Sequence, residues 1–138
     1  MPNLNQRKKR ATAVFDLLDP LYTREKTALT YKTPFELLIS TILSAQCTDK
    51  QVNTVTRTLF QKYRSPGDFL SVPVSELEAD IRPTGFFRNK AKSIRGCAQG
   101  LLDLYQGRVP ATMDELLKLP GVGRKTANCV LGAAFDIP

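Results

Sequence analysis

Phe87-Arg88-Asn89-Lys90-Ala91-Lys92-Ser93-Ile94-Arg95-Gly96-Cys97-Ala98-Gln99-Gly100-Leu101-Leu102-Asp103-Leu104-Tyr105 is the stretch that decides the fold class. Phe87, Ala91, Ile94, Ala98, Leu101 and Tyr105 follow one another at alternating steps of four and three. That spacing lines one face of an amphipathic helix. The basic residues lie on the opposite face, and Gly107 follows the end. Upstream, Thr33-Pro34-Phe35-Glu36 reads as a capping box, with Thr33 as N-cap, Pro34 where its missing N–H costs nothing and Glu36 reaching back. Phe35, Leu38, Ile39, Ile42 and Leu43 then keep helical spacing and predict a central, well-buried helix. A second start at Thr48-Asp49-Lys50-Gln51 leads Val52, Val55, Leu59 and Tyr63 along one face, until Ser65-Pro66-Gly67 breaks the pattern. A short helix is predicted around Val74–Ile81, another from Thr112-Met113-Asp114-Glu115 through Leu119, and a last one carrying Ala127, Val130, Leu131 and Ala134. Val14, Leu17 and Leu18 suggest one more near the N-terminus. No segment alternates like a half-buried strand, so the expected class is all-α.

Composition narrows the chemistry. The chain has 138 residues, 42% hydrophobic and 24% charged, enough for one compact domain with a sizeable core. It contains no histidine, which excludes Ser-His-Asp and Cys-His machinery and any zinc site built on imidazole. Cys47, Cys97 and Cys129 are odd in number and never form C-x-x-C, so neither a disulfide framework nor a cysteine metal knuckle is expected. Free thiols suit a reducing cytosol, and a cytoplasmic location is expected. No apolar run approaches a membrane span, and the N-terminus lacks the apolar core of a signal peptide. Twenty Lys+Arg against 13 Asp+Glu give a net charge of +7, which favours polyanions, nucleic acid first and an acidic membrane surface second. Between Asp80 and Asp103 stand Arg82, Arg88, Lys90, Lys92 and Arg95 with no acid among them. The Arg7-Lys8-Lys9-Arg10 cluster is weaker evidence, since basic tails are often only solvated.

The chemistry-bearing stretch is Leu119-Pro120-Gly121-Val122-Gly123-Arg124-Lys125-Thr126-Ala127. It joins two short helices through a turn whose glycines bring backbone N–H groups close to whatever sits above it. Those donors lie at a helix N-terminus, where the macrodipole also favours an anion, so phosphate is the natural ligand. A tight helix–helix turn with glycines kept for sterics is the plainer alternative.

The same stretch resembles the helix-hairpin-helix of the base-excision DNA glycosylases, specifically the endonuclease III type. Phe35-Glu36-Leu37-Leu38-Ile39, Leu43-Ser44-Ala45-Gln46-Cys47-Thr48-Asp49, Gly85-Phe86-Phe87-Arg88-Asn89-Lys90-Ala91 and Lys125-Thr126-Ala127-Asn128 agree with that family in the right order, so the resemblance covers nearly the whole chain. It implies a six-helix domain over residues 27–138, preceded at 1–26 by a basic segment and the helix that packs on the family's cluster domain. It implies excision of damaged bases, with oxidised pyrimidines the expected lesion, and β-elimination at abasic sites in double-stranded DNA. It casts Lys125 as the amine nucleophile, a role helped by a first-turn position beside Arg124 that disfavours the ammonium. On the residues alone, a plain phosphate-contacting lysine fits equally well. Lysine at this position points to the bifunctional glycosylase/lyase branch, since adenine- and mismatch-specific relatives generally have another residue.

By the same resemblance Gln46 fills the gap left by a flipped base and contacts the orphaned partner, and Phe86 occupies the second wedge position. Otherwise Gln46 is a polar residue at a helix end and Phe86 an aromatic bound for the core. Arg88, Lys90 and Lys92 are candidates for DNA-backbone contacts, as are Pro120, Gly121, Val122, Gly123, Arg124 and Thr126 of the hairpin. The family's catalytic aspartate follows an Ala-Phe-x-x-Pro stretch that here is Ala134-Phe135-Asp136-Ile137-Pro138, with Asp136 at a variable position. The family's [4Fe-4S] cluster uses four cysteines further on, none matched by Cys47, Cys97 or Cys129. The expectation is a monomeric, truncated chain that binds no cofactor, exposes apolar surface around Val14, Leu17 and Leu18, and has doubtful activity alone. The competing expectations are a non-catalytic DNA-binding fragment and a structural helical domain.

Overall fold

In the computed structural model, residues 27–135 are described. They form seven α-helices: α1 Pro34–Leu43, α2 Asp49–Lys62, α3 Pro66–Leu70, α4 Val74–Ile81, α5 Phe87–Tyr105, α6 Met113–Leu117 and α7 Arg124–Ala134, with a 3-10 turn at Arg82–Thr84 between α4 and α5. All six helices expected between 27 and 138 are present, and no strand occurs among the described residues. The seventh is α3, where Ser65-Pro66-Gly67 was expected only to break the chain. Pro66 sits at the first helical position, where it needs no donor, and Ser65 and Asp68 complete a capping box. The expected N-terminal helix, the Arg7–Arg10 cluster and Asp136 lie outside the described residues.

α1 is the hub. Phe35, Leu37, Leu38, Ile39, Ser40, Ile42 and Leu43 are all buried, so it is enclosed on nearly every side, packed against α2, α5 and α7. Thr33 and Thr48 cap α1 and α2, their hydroxyls accepting from the Glu36 and Gln51 amides at 3.1 Å each. The Glu36 carboxylate reaches back one residue further than a capping box requires, accepting from the Lys32 amide at 2.9 Å. α5 packs on α3 and α4 as well as α1, and the face with Ala91, Ile94, Ala98 and Leu101 is buried as its spacing demands.

Three tyrosine hydroxyls tie distant elements together. Tyr63, stacked on Phe69 at 4.6 Å, donates to Asp80 Oδ2 at 2.7 Å and joins α2, α3 and α4. Tyr105 donates to the Glu115 carbonyl at 2.8 Å, fastening α5 to α6, and Tyr31 donates to the Ala133 carbonyl at 2.8 Å, fastening the segment before α1 to α7. No helix among the described residues is long and apolar enough to cross a membrane.

Candidate functional site

The turn between α6 and α7 is seated on α5. A Cβ added at Gly121 would lie 2.8 Å from Ser93 Cβ and 3.0 Å from the Ser93 carbonyl oxygen, and its φ is +80°. Both facts require glycine there. Cβ atoms at Gly96 and Gly100 would meet Pro120 and Leu119 side-chain atoms at 3.0 Å. Ser93, Gly96 and Gly100, spaced three and four apart, therefore form a shallow groove on α5 that takes Leu119, Pro120 and Gly121. Gly123 differs: its φ of −96° suits any residue, and a Cβ there would meet nothing within 4 Å. No side chain caps α7, so its first-turn amides have no acceptor inside the helix.

Arg124 and Lys125 on that first turn are exposed, and Thr126 is half-buried. Val122 departs from its expected role as a contact residue. Its side chain is buried in the core and its amide donates to the Leu119 carbonyl at 3.2 Å, so neither faces an external ligand.

Two loops stand beside the hairpin. Gln46, three residues past α1, is exposed with a left-handed backbone at φ +53°, and Phe86 enters α5 at φ +47° and ψ +40° with 62% of its surface exposed. Gly85 before it, at φ +79° and ψ +162°, takes a conformation essentially closed to other residues. A left-handed non-glycine residue costs on the order of 1–3 kcal/mol and persists where the surroundings over-determine it. Gln46, Phe86, Ser93, Gly121 and Thr126 line one cavity of about 280 Å³, with Thr41, Asn89 and Lys90 also in its wall. The structure thus draws residues from three separate sequence stretches around one opening. Lys125, next to Thr126, is not in that wall. A larger hollow of about 490 Å³, between the segment before α1 and α2, shares no residue with it.

The basic face of α5 divides. Arg88 is exposed, its guanidinium 4.9 Å from the Phe87 ring centroid, with Arg82 on the same ring at 4.6 Å. Lys92 is exposed as well. Arg95 is committed inside the fold, donating from Nη1 to the Phe69 and Val72 carbonyls at 2.9 and 2.8 Å.

Lys90 corrects the expectation of a backbone contact. It is only 5% exposed, and its Nζ donates to the Leu43 and Thr84 carbonyls, both at 2.8 Å. Burial lowers the pKa of its ammonium. Its acceptors come from chain positions that no local pattern links to it. The α5 groove was also missed, although three small residues at helical spacing are visible in the sequence.

Cys97 is buried in the core, its thiol pushed by desolvation up to about 12, while Cys47 and Cys129 are half-buried in other elements. Among the described residues no three metal-ligating side chains come together, and the cysteines present do not fit a four-cysteine cluster.

Comparison with known proteins agrees with the all-helical fold. The sequence profile of the HhH-GPD superfamily base excision DNA repair proteins matches residues 39–132. The chain is 48% identical over 130 residues to endonuclease III of Bacillus subtilis (strain 168), covering 94% of this chain and 59% of that protein. It is 50% identical over 131 residues to endonuclease III of Synechocystis sp., covering 95% and 60%. Among solved structures, a trapped endonuclease III–DNA covalent intermediate superposes with a TM-score of 0.80 at 56% identity, covering 82% of this chain and 53% of that one. The chain therefore spans about 60% of the length of these two relatives.

Proposed function

The chain belongs to the HhH-GPD superfamily of base excision DNA repair proteins, and on that premise we propose that it is the lesion-reading and nucleophile-bearing part of a DNA glycosylase/abasic-site lyase. The observation that carries this reading is the gathering of Gln46, Phe86 and the hairpin residues Gly121 and Thr126 around one cavity, with Lys125 exposed on the adjoining first turn. The uncapped amides of α7 and the open space over Gly123 suit a backbone phosphate. Arg88, Arg82 and Lys92 add positive charge for the duplex. The proposed partner is double-stranded DNA with a damaged base, an oxidised pyrimidine, or an abasic site, met by a monomer in the cytoplasm. Gln46 and Phe86 enter the stack as the base leaves it, offsetting a flipping cost of a few kcal/mol.

In the proposed reaction, Lys125 Nζ in its neutral form attacks C1′. The C1′–base bond breaks, and its electron pair leaves with the base, which takes up a proton. The ring oxygen then departs from C1′, leaving an iminium between the sugar and Lys125. Loss of a proton from C2′ forms the C2′–C3′ double bond and expels the 3′ phosphate. Water finally releases the amine. No step passes through a metal cluster.

Borohydride reduction of the iminium tests this. Abasic-site duplex DNA incubated with the chain should give a covalent adduct that Lys125→Ala abolishes while retaining salt-sensitive duplex binding. Absence of an adduct from the unmodified chain, with binding intact, would favour the non-catalytic phosphate-gripping module.

A further inference from the structure

Lys90 has an unusual position for a lysine. Its charge is buried, and the partners described are two neutral carbonyls rather than a carboxylate. Removing an ammonium from water costs several kcal/mol, and a hydrophobic side chain of similar volume often fills such a place at no loss of stability. The two carbonyls are not equivalent parts of one element. Leu43 ends α1 three residues before Gln46, and Thr84 ends the 3-10 turn two residues before Phe86. Both following loops hold a left-handed non-glycine residue, and both line the cavity that Lys90 borders.

We propose that Lys90 is a positioning residue: a single ammonium braces the Gln46 loop and the Phe86 loop against one another at a fixed separation, so that both side chains enter DNA together. The proposal rests on the base-excision reading for its consequence in DNA, but the brace itself is a property of the free protein. Lys90 lines the cavity, and its Nζ sets the gap between the two loops, 2.8 Å to each carbonyl. The first turn of α5 anchors it through the Lys90 amide, which donates to the Phe86 carbonyl at 3.0 Å. Methionine has comparable bulk and no donor, so it keeps the packing and removes the brace. Arginine adds volume at a buried site and cannot reproduce a point donor shared by two carbonyls.

The test uses the 138-residue chain and duplexes with 2-aminopurine beside an abasic-site analogue, whose fluorescence rises when the stack is opened. Lys90→Met should keep its helical circular dichroism and its affinity for undamaged duplex, which the hairpin grips, and should lower the equilibrium constant for stack opening, read from the fluorescence, by about tenfold, equivalent to ~1.4 kcal/mol. An unchanged response overturns the brace, and so does an equal loss of undamaged-duplex affinity, which would mark a general structural role. If Lys90→Met does not fold, native-state hydrogen exchange of the unmodified protein decides. The Cys47 and Gly85 amides, bonded to the Ser44 and Arg82 carbonyls at 3.1 and 3.0 Å, should open together with one free energy. Independent opening overturns the proposal. If the unmodified chain gives no fluorescence response at all, the base-excision reading has failed, and the exchange measurement still judges the brace.

Discussion

Gly121 and Gly123 stand two positions apart in the same turn, yet different things require them. At Gly121 a methyl group would strike Ser93, and the backbone is left-handed as well. Gly121→Ala should therefore destabilise the fold by roughly 2 kcal/mol or more, read from a urea midpoint. At Gly123 the fold itself offers no objection to a side chain. Gly123→Ala should cost only about 0.5 kcal/mol as a poorer N-cap. It should nevertheless weaken duplex binding in an anisotropy titration, because the methyl occupies the space a phosphate would use. Equal stability losses in the two variants would remove the distinction. The sequence displays both glycines, but a glycine letter does not say whether the protein or its ligand needs the room. Lys90 shows the same limit at a charged residue, since its sign is legible while its direction depends on carbonyls at 43 and 84.

The helices themselves were the most legible feature. α5 and α1 declare themselves because their apolar residues keep a 3.6-residue period over several turns. α3 did not, because a proline and a glycine outweighed a Ser65-x-x-Asp68 box in a segment of only five helical residues. The seat of the hairpin on α5 was equally hidden, since the contacts that make it, from Gly100 with Leu119 to Ser93 with Gly121, join residues roughly 20 to 30 positions apart in the chain. That seat gives a prediction for the helix. Gly100→Ala should gain about 1 kcal/mol of helix propensity and lose about 1–3 kcal/mol by crowding Leu119 and Pro120, for a net loss on the order of 1 kcal/mol in chemical denaturation. Net stabilisation would mean that the hairpin rides loosely on α5 and can shift without cost.

Among the described residues, four groups bias the response to alkali in one direction: Cys97, Tyr63, Lys62 and Tyr105, the last raised by desolvation and by the Glu115 carboxylate. Desolvation raises the Cys97 thiol from 9.0 to about 12, and desolvation with the Asp80 hydrogen bond raises the Tyr63 hydroxyl from 10.0 to about 12. Hydrogen bonds to Asp80 and Glu76 raise Lys62. For each, the folded chain keeps a proton that the unfolded chain releases, so the stability is complete below the ordinary value and falls as pH rises towards the raised one. Lys90 acts in the opposite sense, its pKa being lowered. The urea midpoint should fall from pH 9.0 upwards as the unfolded thiol ionises, and the slope should be shallower for Cys97→Ala. A midpoint independent of pH up to about 12 would contradict the burial of these groups.

The position of α5 beneath all three loops has a bearing on which length changes the chain tolerates. Lys90 holds the first two loops, and Ser93, Gly96 and Gly100 receive the third, so one helix supplies the common register. A single residue inserted between Lys90 and Ser93 would rotate everything beyond it by about 100° and carry the groove off the face it shares with the lysine. An insertion in the connection from Gln106 to Ala111 leaves that phase intact. Within one short stretch of chain, then, length is fixed along the helix and free just past its end.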